Sequence, residues 1–172
     1  MRSNLNLSSN KKGNAIVETI MVMVVIFIFG ILTVIGFKIN DDLYPEMTDN
    51  TTMSPEAIEV AETIHTGYPK WFDGGFLLMF ILLYIFVLTS AWFVDTHPLF
   101  FIFTILLLVF VLIVGAVLTN SWEEIIGDGD FGAVSASFPI MSFILSHLVE
   151  TVLAIGASIA FVLYGKSSGG GF

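Results

Sequence analysis

The sequence predicts an all-α polytopic membrane protein: four transmembrane helices, with a short amphipathic helix in the first of two acidic outer loops. Three observations carry that prediction. The 172 residues are 56% hydrophobic and 12% charged, with a mean hydropathy of +0.91, whereas about 25% of an ordinary soluble domain is charged. Four apolar blocks, residues 15–37, 74–94, 99–119 and 138–164, are each long enough to span. At about 1.5 Å per residue, roughly 20 residues of helix cross a hydrocarbon core about 30 Å thick. Most of the acids fall between the blocks, in 38–73 and 120–137, where water or headgroups would solvate them.

Composition also excludes whole classes of chemistry. The chain has no cysteine, which removes disulfides, thiolate nucleophiles and cysteine metal sites. A formal net charge of -9 with only six basic residues argues against binding nucleic acid through phosphate contacts. There is no phosphate-binding glycine loop, dinucleotide fingerprint, serine elbow or histidine metal motif. Neither an enzyme nor a cofactor is expected.

Residues 1–14 are polar, rich in Ser and Asn, and carry Arg2, Lys11 and Lys12, so they read as a cytoplasmic tail. The block 15–37 comes next without a convincing small-residue cleavage site and is expected to stay as an anchor. The loop 38–73 holds Asp41, Asp42, Glu46, Asp49, Glu56, Glu59, Glu62 and Asp73. Within it, Ser54-Pro55-Glu56 supplies a cap, a first-turn proline and an acidic first turn. Ala57, Ile58, Ala61 and Ile64 then recur at helical spacing, which predicts the short helix over 55–65. The run Gly67-Tyr68-Pro69-Lys70-Trp71-Phe72 is expected to end it at the bilayer interface, where aromatic rings collect.

Blocks 74–94 and 99–119 are apolar on all sides and are joined by a tight turn at 95–98, with Asp95 or Thr96 capping the next helix. The second acidic loop, 120–137, carries Glu123, Glu124, Asp128 and Asp130 around Gly127 and Gly129. These carboxylates are candidate ligands for a hard cation, although their spacing is not that of an EF-hand and a solvated loop is the alternative. His65 and His97 stand alone and read as capping or interfacial residues. The chain closes with a second cytoplasmic tail, 165–172. With an even number of spans both ends share a side, and Arg2, Lys11, Lys12 and Lys166 against Lys38 and Lys70 place that side in the cytoplasm.

The fourth block is chemically unlike the others. Glu150 lies near its middle, where a charged side chain costs about 2.5 kcal/mol or more on insertion scales. His147 lies one turn earlier, and Thr151, Ala154, Gly156, Ala157, Ser158 and Ala160 continue a stripe of small or polar residues. Such a face suits close packing against another helix or subunit, with Glu150 neutral or hydrogen-bonded. The competing reading is a proton or ion relay through His147 and Glu150.

Lys12-Gly13-Asn14, with Glu18 at the fifth position after the glycine and a long apolar helix beyond, resembles the N-terminus of type IV pilins and TadE-like pilus proteins. The resemblance covers residues 11–37 and implies cleavage after Gly13, with Glu18 pairing with a neighbouring subunit's new amino terminus at Asn14. In overall make-up the chain also resembles small multispan membrane proteins of lipid-containing viruses or phages. Two functions are expected from these features. One is a structural or assembly subunit of a virion membrane or pilus-like apparatus, packing laterally through the fourth span. The other is a small channel, holin-like pore or ion-coupled transporter subunit using His147 and Glu150. The partners expected are the lipid bilayer, copies of the chain or other membrane subunits, and a shell protein meeting the acidic loops. If pilin-type processing operates, N-terminal sequencing of membrane-purified protein will begin at Asn14; a start at Met1 or Arg2 removes that reading.

Overall fold

A computed structural model describes residues 15–49, 53–93 and 98–168, all in helices and the bends between them. In order they are α1 (Ala15–Thr48), α2 (Pro55–Phe93), α3 (Pro98–Gly127), α4 (Gly129–Ser135), α5 (Pro139–Ser146) and α6 (Leu148–Ser168). Among the described residues four helices are long and apolar enough to cross a membrane, within Thr19–Thr48, Pro55–Phe93, Leu108–Gly127 and Leu148–Gly165. The pair α4 and α5 is bent by 115°. Their seven and eight residues span at most about 22 Å even end to end at about 1.5 Å per residue, short of a core about 30 Å thick. Counted together as one broken span, the pair would make a fifth; α5 itself packs inside the bundle along α1, from Phe37 to Gly30.

Helix boundaries differ from the sequence expectation in physically instructive ways. The first helix continues past residue 37 to Thr48 despite Pro45, because its polar extension finds support. Lys38 pairs with Asp42 one turn on, at 2.6 Å, and Tyr44 stacks on His65 with centroids 4.2 Å apart. The helix expected over 55–65 is the opening of the 39-residue α2 and not a separate element. Its start is as expected: the Ala57 N–H donates to Ser54 Oγ at 3.3 Å. The expected stop fails, since Pro69 removes only one backbone bond, while Tyr68 and Phe72 on either side stack on each other at 4.1 Å and against Phe37 and Phe29 on α1. The second loop is largely helical, as the end of α3 and then α4. The block 138–164 is broken at His147 into α5 and α6. Of the turn expected at 95–98, residues 94–97 lie outside the described residues, and Pro98 opens α3.

One continuous core runs along the bundle. Phe37, Phe76, Trp122, Phe138, Met141, Leu145 and Leu148 are all buried within it, and a satellite cluster of Met23, Val111 and Val152 joins α1, α3 and α6. Close approach is set by small residues. A side chain at Gly30 would lie 2.5 Å from Leu145 Cδ1, so α5 sits directly on α1 there. One at Gly156 would lie 2.6 Å from Leu108 Cδ1, where α6 meets α3. Across α2 and α6, the Tyr84 hydroxyl donates to Ser158 Oγ at 2.8 Å.

The bent pair is pinned by a buried carboxylate. Asp73 on α2 is 6% exposed; its Oδ1 accepts the Met141 N–H at 2.8 Å and its Oδ2 the Ile140 N–H at 3.1 Å. These are second- and third-position donors of α5, whose own N-cap, Phe138, has no side chain able to accept them. A helix start is favourable for a carboxylate for the same reason, because free N–H groups and the positive dipole end point at it. Asp73→Ala should cost about 1–3 kcal/mol by orphaning both donors, and Asp73→Asn, which keeps one acceptor, should cost less. Denaturation in detergent checks the ranking, and amide hydrogen exchange should accelerate most across 139–146.

Candidate functional site

His147 and Glu150, the pair singled out in the fourth block, lie together on one exterior face. The break between α5 and α6 falls at His147, whose backbone leaves helical geometry at φ -122° and ψ 35°. Its N–H reaches Ile144 O at 3.3 Å, and its carbonyl accepts the Thr151 N–H at 2.9 Å. Its ring turns back along α5, with Nδ1 2.8 Å from the Phe143 carbonyl oxygen and the ring stacked on Phe143 at 4.5 Å. Because that oxygen can only accept, Nδ1 carries the proton and Nε2 holds the lone pair in the neutral ring.

The break moves Glu150 from mid-span to the first turn of α6, where it is exposed. It lies level with Gly115 of α3, whose nearest backbone neighbours are Leu148 and Val149. Glu150 makes no hydrogen bond or ion pair with any described residue, His147 included. Down the same face Ala154 and Ala157 are exposed, with Phe161 80% exposed beyond them. The remaining members of the expected stripe do not share this face. Gly156 packs on Leu108, Ser158 takes the Tyr84 hydroxyl and donates to Ala154 O at 2.7 Å, and Thr151 and Ala160 are half-buried. The stripe therefore divides into an inner half that joins α6 to α2 and α3, and an outer half of His147, Glu150, Ala154 and Ala157.

No protein-family model, curated protein or solved structure matches the chain. The character of the face is set by its surroundings. The rest of the described exterior belt is largely apolar: Met21, Ile28 and Leu32 on α1, Leu78, Leu82 and Phe86 on α2, and Val109, Phe110 and Ile113 on α3 are all exposed, with Thr89 on α2 the polar exception. The described interior at these levels is mostly apolar, with Thr33 of α1 buried within it. The interior at these levels is filled by Ile26, Val34, Phe76, Val87, Val111 and Val152, each at most 2% exposed.

A second polar feature, with no sequence forewarning, lies where α1, α2 and α4 meet. A cavity of about 410 Å³ is lined by Phe37, Lys38, Asp41, His65, Asp130 and Ser137 among others. His65 sits between the Phe37 and Tyr44 rings, with Nδ1 3.0 Å from Asn40 Oδ1 and Nε2 3.8 Å from Asp41. The lone histidine expected at an interface is thus a packing residue; His97 lies outside the described residues. The Asp42 carboxylate hydrogen-bonded to Lys38 holds its ammonium above the usual lysine value, with smaller help from Asp130 and Asp41. Lys38 is therefore already paired, and Asp41 and Asp130 leave the rim negative, which favours cations over anions. Among the described residues no three carboxylates or histidines are placed to hold a metal ion; Glu123, Glu124, Asp128 and Asp130 are all exposed.

Gly13 and Asn14 lie outside the described residues, and Glu18 lies in the first turn of α1. Asp73 escapes a reading of the sequence as a site residue because it stands as the last acid of a loop. The available signal is the pairing of that acid, at the mouth of an apolar run, with a distant helix start, Phe138-Pro139, that lacks a capping residue.

The raised Lys38 sets the sign of one pH effect. Its pair with Asp42 contributes stability that is present at neutral pH and lost as pH rises through the folded-state lysine value. Since the pair is open to solvent, the effect is small. The difference in melting temperature between the natural chain and Asp42→Asn should be measurable at neutral pH and should vanish at strongly alkaline pH.

Proposed function

We propose that this chain is an integral membrane assembly subunit, embedded through four spans and packing laterally through the outer face of α5 and α6. The observation that carries the reading is the placement of His147 and Glu150. They are the only His, Asp, Glu, Lys or Arg side chains on the described apolar belt, and they sit on its exterior with two alanines beside them. A carboxyl group facing hydrocarbon is costly, and polar groups that bridge helices are a principal means of association where the hydrophobic effect supplies none. Facing another subunit, Glu150 gains a partner; facing lipid, it has none. Under this reading both termini lie in the cytoplasm or virion interior, and the acidic ends of α1 and α3, with the start of α2, project on the other side toward a shell or envelope partner.

The same face would also be used by a pore in which several copies set His147 and Glu150 around a path, so flux separates the two readings. Glu150→Leu should leave the fold intact, since a lipid-facing leucine costs nothing, and should shift the protein from complex to monomer on native gels. Vesicles holding the natural chain should show no proton or ion flux above empty vesicles. Flux that Glu150→Gln abolishes while the complex persists would overturn the assembly reading.

A further inference from the structure

We infer that the partner on this face is a second copy of the chain, docked about a two-fold axis running alongside α6, so that His147 of each copy meets Glu150 of the other; this rests on the assembly reading and names its partner. The first support is that the face is complementary to itself. A two-fold interface sets residue i against j and j against i, so a face that carries one acceptor nitrogen and one carboxyl satisfies both twice over. His147 Nδ1 is committed to the Phe143 carbonyl oxygen at 2.8 Å, which leaves Nε2 as an acceptor. A protonated Glu150 donates to that nitrogen; if the proton moves across, the pair becomes imidazolium and carboxylate. In either form one shared proton satisfies both groups.

The second support is that the pair is not closed within the chain. Residues three apart on a helix are neighbours, yet the His147 ring is held back against Phe143 at 4.5 Å and Glu150 is left without a partner among the described residues. The third is the character of the remaining belt. A head-to-tail ring would set this face against α1, α2 or α3, whose described exposed belt is largely Met, Val, Ile, Leu and Phe and carries no titratable side chain. The described surface there offers His147 and Glu150 few polar partners, the Thr89 hydroxyl among them. The two-fold arrangement gives each group a complementary partner directly. Ala154 and Ala157 lie one and two turns beyond Glu150 and carry only methyl groups, so the two α6 backbones can approach closely there.

The natural absence of cysteine makes the test direct. Ala154→Cys and Ala157→Cys, each alone in the full chain in vesicles, should form covalent dimers on oxidation, whereas Leu82→Cys on the exposed side of α2 should not. Adding His147→Glu or Glu150→His to Ala154→Cys should lower the dimer yield roughly tenfold, as expected for lost interhelical hydrogen bonds. The double exchange should restore it, which also shows that the single variants fail by pairing and not by misfolding. If neither cysteine yields dimer while the chain still migrates as a complex, the two-fold inference is overturned and assembly stands. If the chain is monomeric in native membranes, the assembly reading itself fails. Dimer that is indifferent to both single changes overturns the His147–Glu150 pairing.

Discussion

The carboxylate of Asp73 is the contact on which the upper half of the molecule turns. A buried carboxylate is costly unless its oxygens are occupied, and here each oxygen holds one backbone N–H of α5. The dependence is mutual. The start of α5 has no capping side chain of its own, and Pro139 at its first position fixes the backbone for a helix without satisfying the donors after it. Two local deficits on elements nearly seventy residues apart thus cancel in one contact, and the chain cannot place α5 elsewhere without reopening both.

That contact acts on the rest of the bundle through geometry. With the start of α5 fixed, Phe138 drops edge-on against Phe37 at 5.4 Å, and Met141 and Leu145 reach α1 at Gly30, where no side chain stands in the way. Ser142 closes the bend by donating to Ser135 O at 3.0 Å. Since α5 runs straight into the break at His147, its seat on α1 and α2 also sets the rotation with which α6 leaves. That rotation directs Gly156 and Ser158 inward and Glu150 outward. The exterior position of Glu150 goes with α6's own contacts to α2 at Ser158 and to α3 at Gly156.

The apolar blocks were legible in the sequence as helices because length and composition alone specify a helix able to cross a membrane, and Ser54-Pro55-Glu56 was legible because capping is local chemistry. Helix ends were not, because distant partners decide them. Residues 38–48 continue α1 through Tyr44 on His65, and Tyr68 and Phe72 carry α2 across Pro69 by packing on α1. The pairing of His147 with Glu150 on one face was readable from spacing of three. Whether that face looks inward depends on α2 and α3, and no periodicity within α6 contains that information. Asp73 was the least legible, because its chemistry belongs to a helix start in another part of the chain.

In a bilayer the exterior of this bundle is no less apolar than its interior, so burial of oily surface cannot by itself choose one arrangement of the helices. The choice falls to close contacts at Gly30 and Gly156 and to a few polar links. Tyr84 joins α2 to α6 through Ser158, Thr119 joins α3 to α5 by donating to Leu145 O at 3.4 Å, and Asp73 joins α2 to α5. Each link spends a polar group inside the chain. Glu150, like Asp73, is an acid set beside the start of a helix, yet no described residue gives it a donor. Among the described residues the two acids differ in what surrounds them: Asp73 meets two backbone donors of α5, and Glu150 meets none.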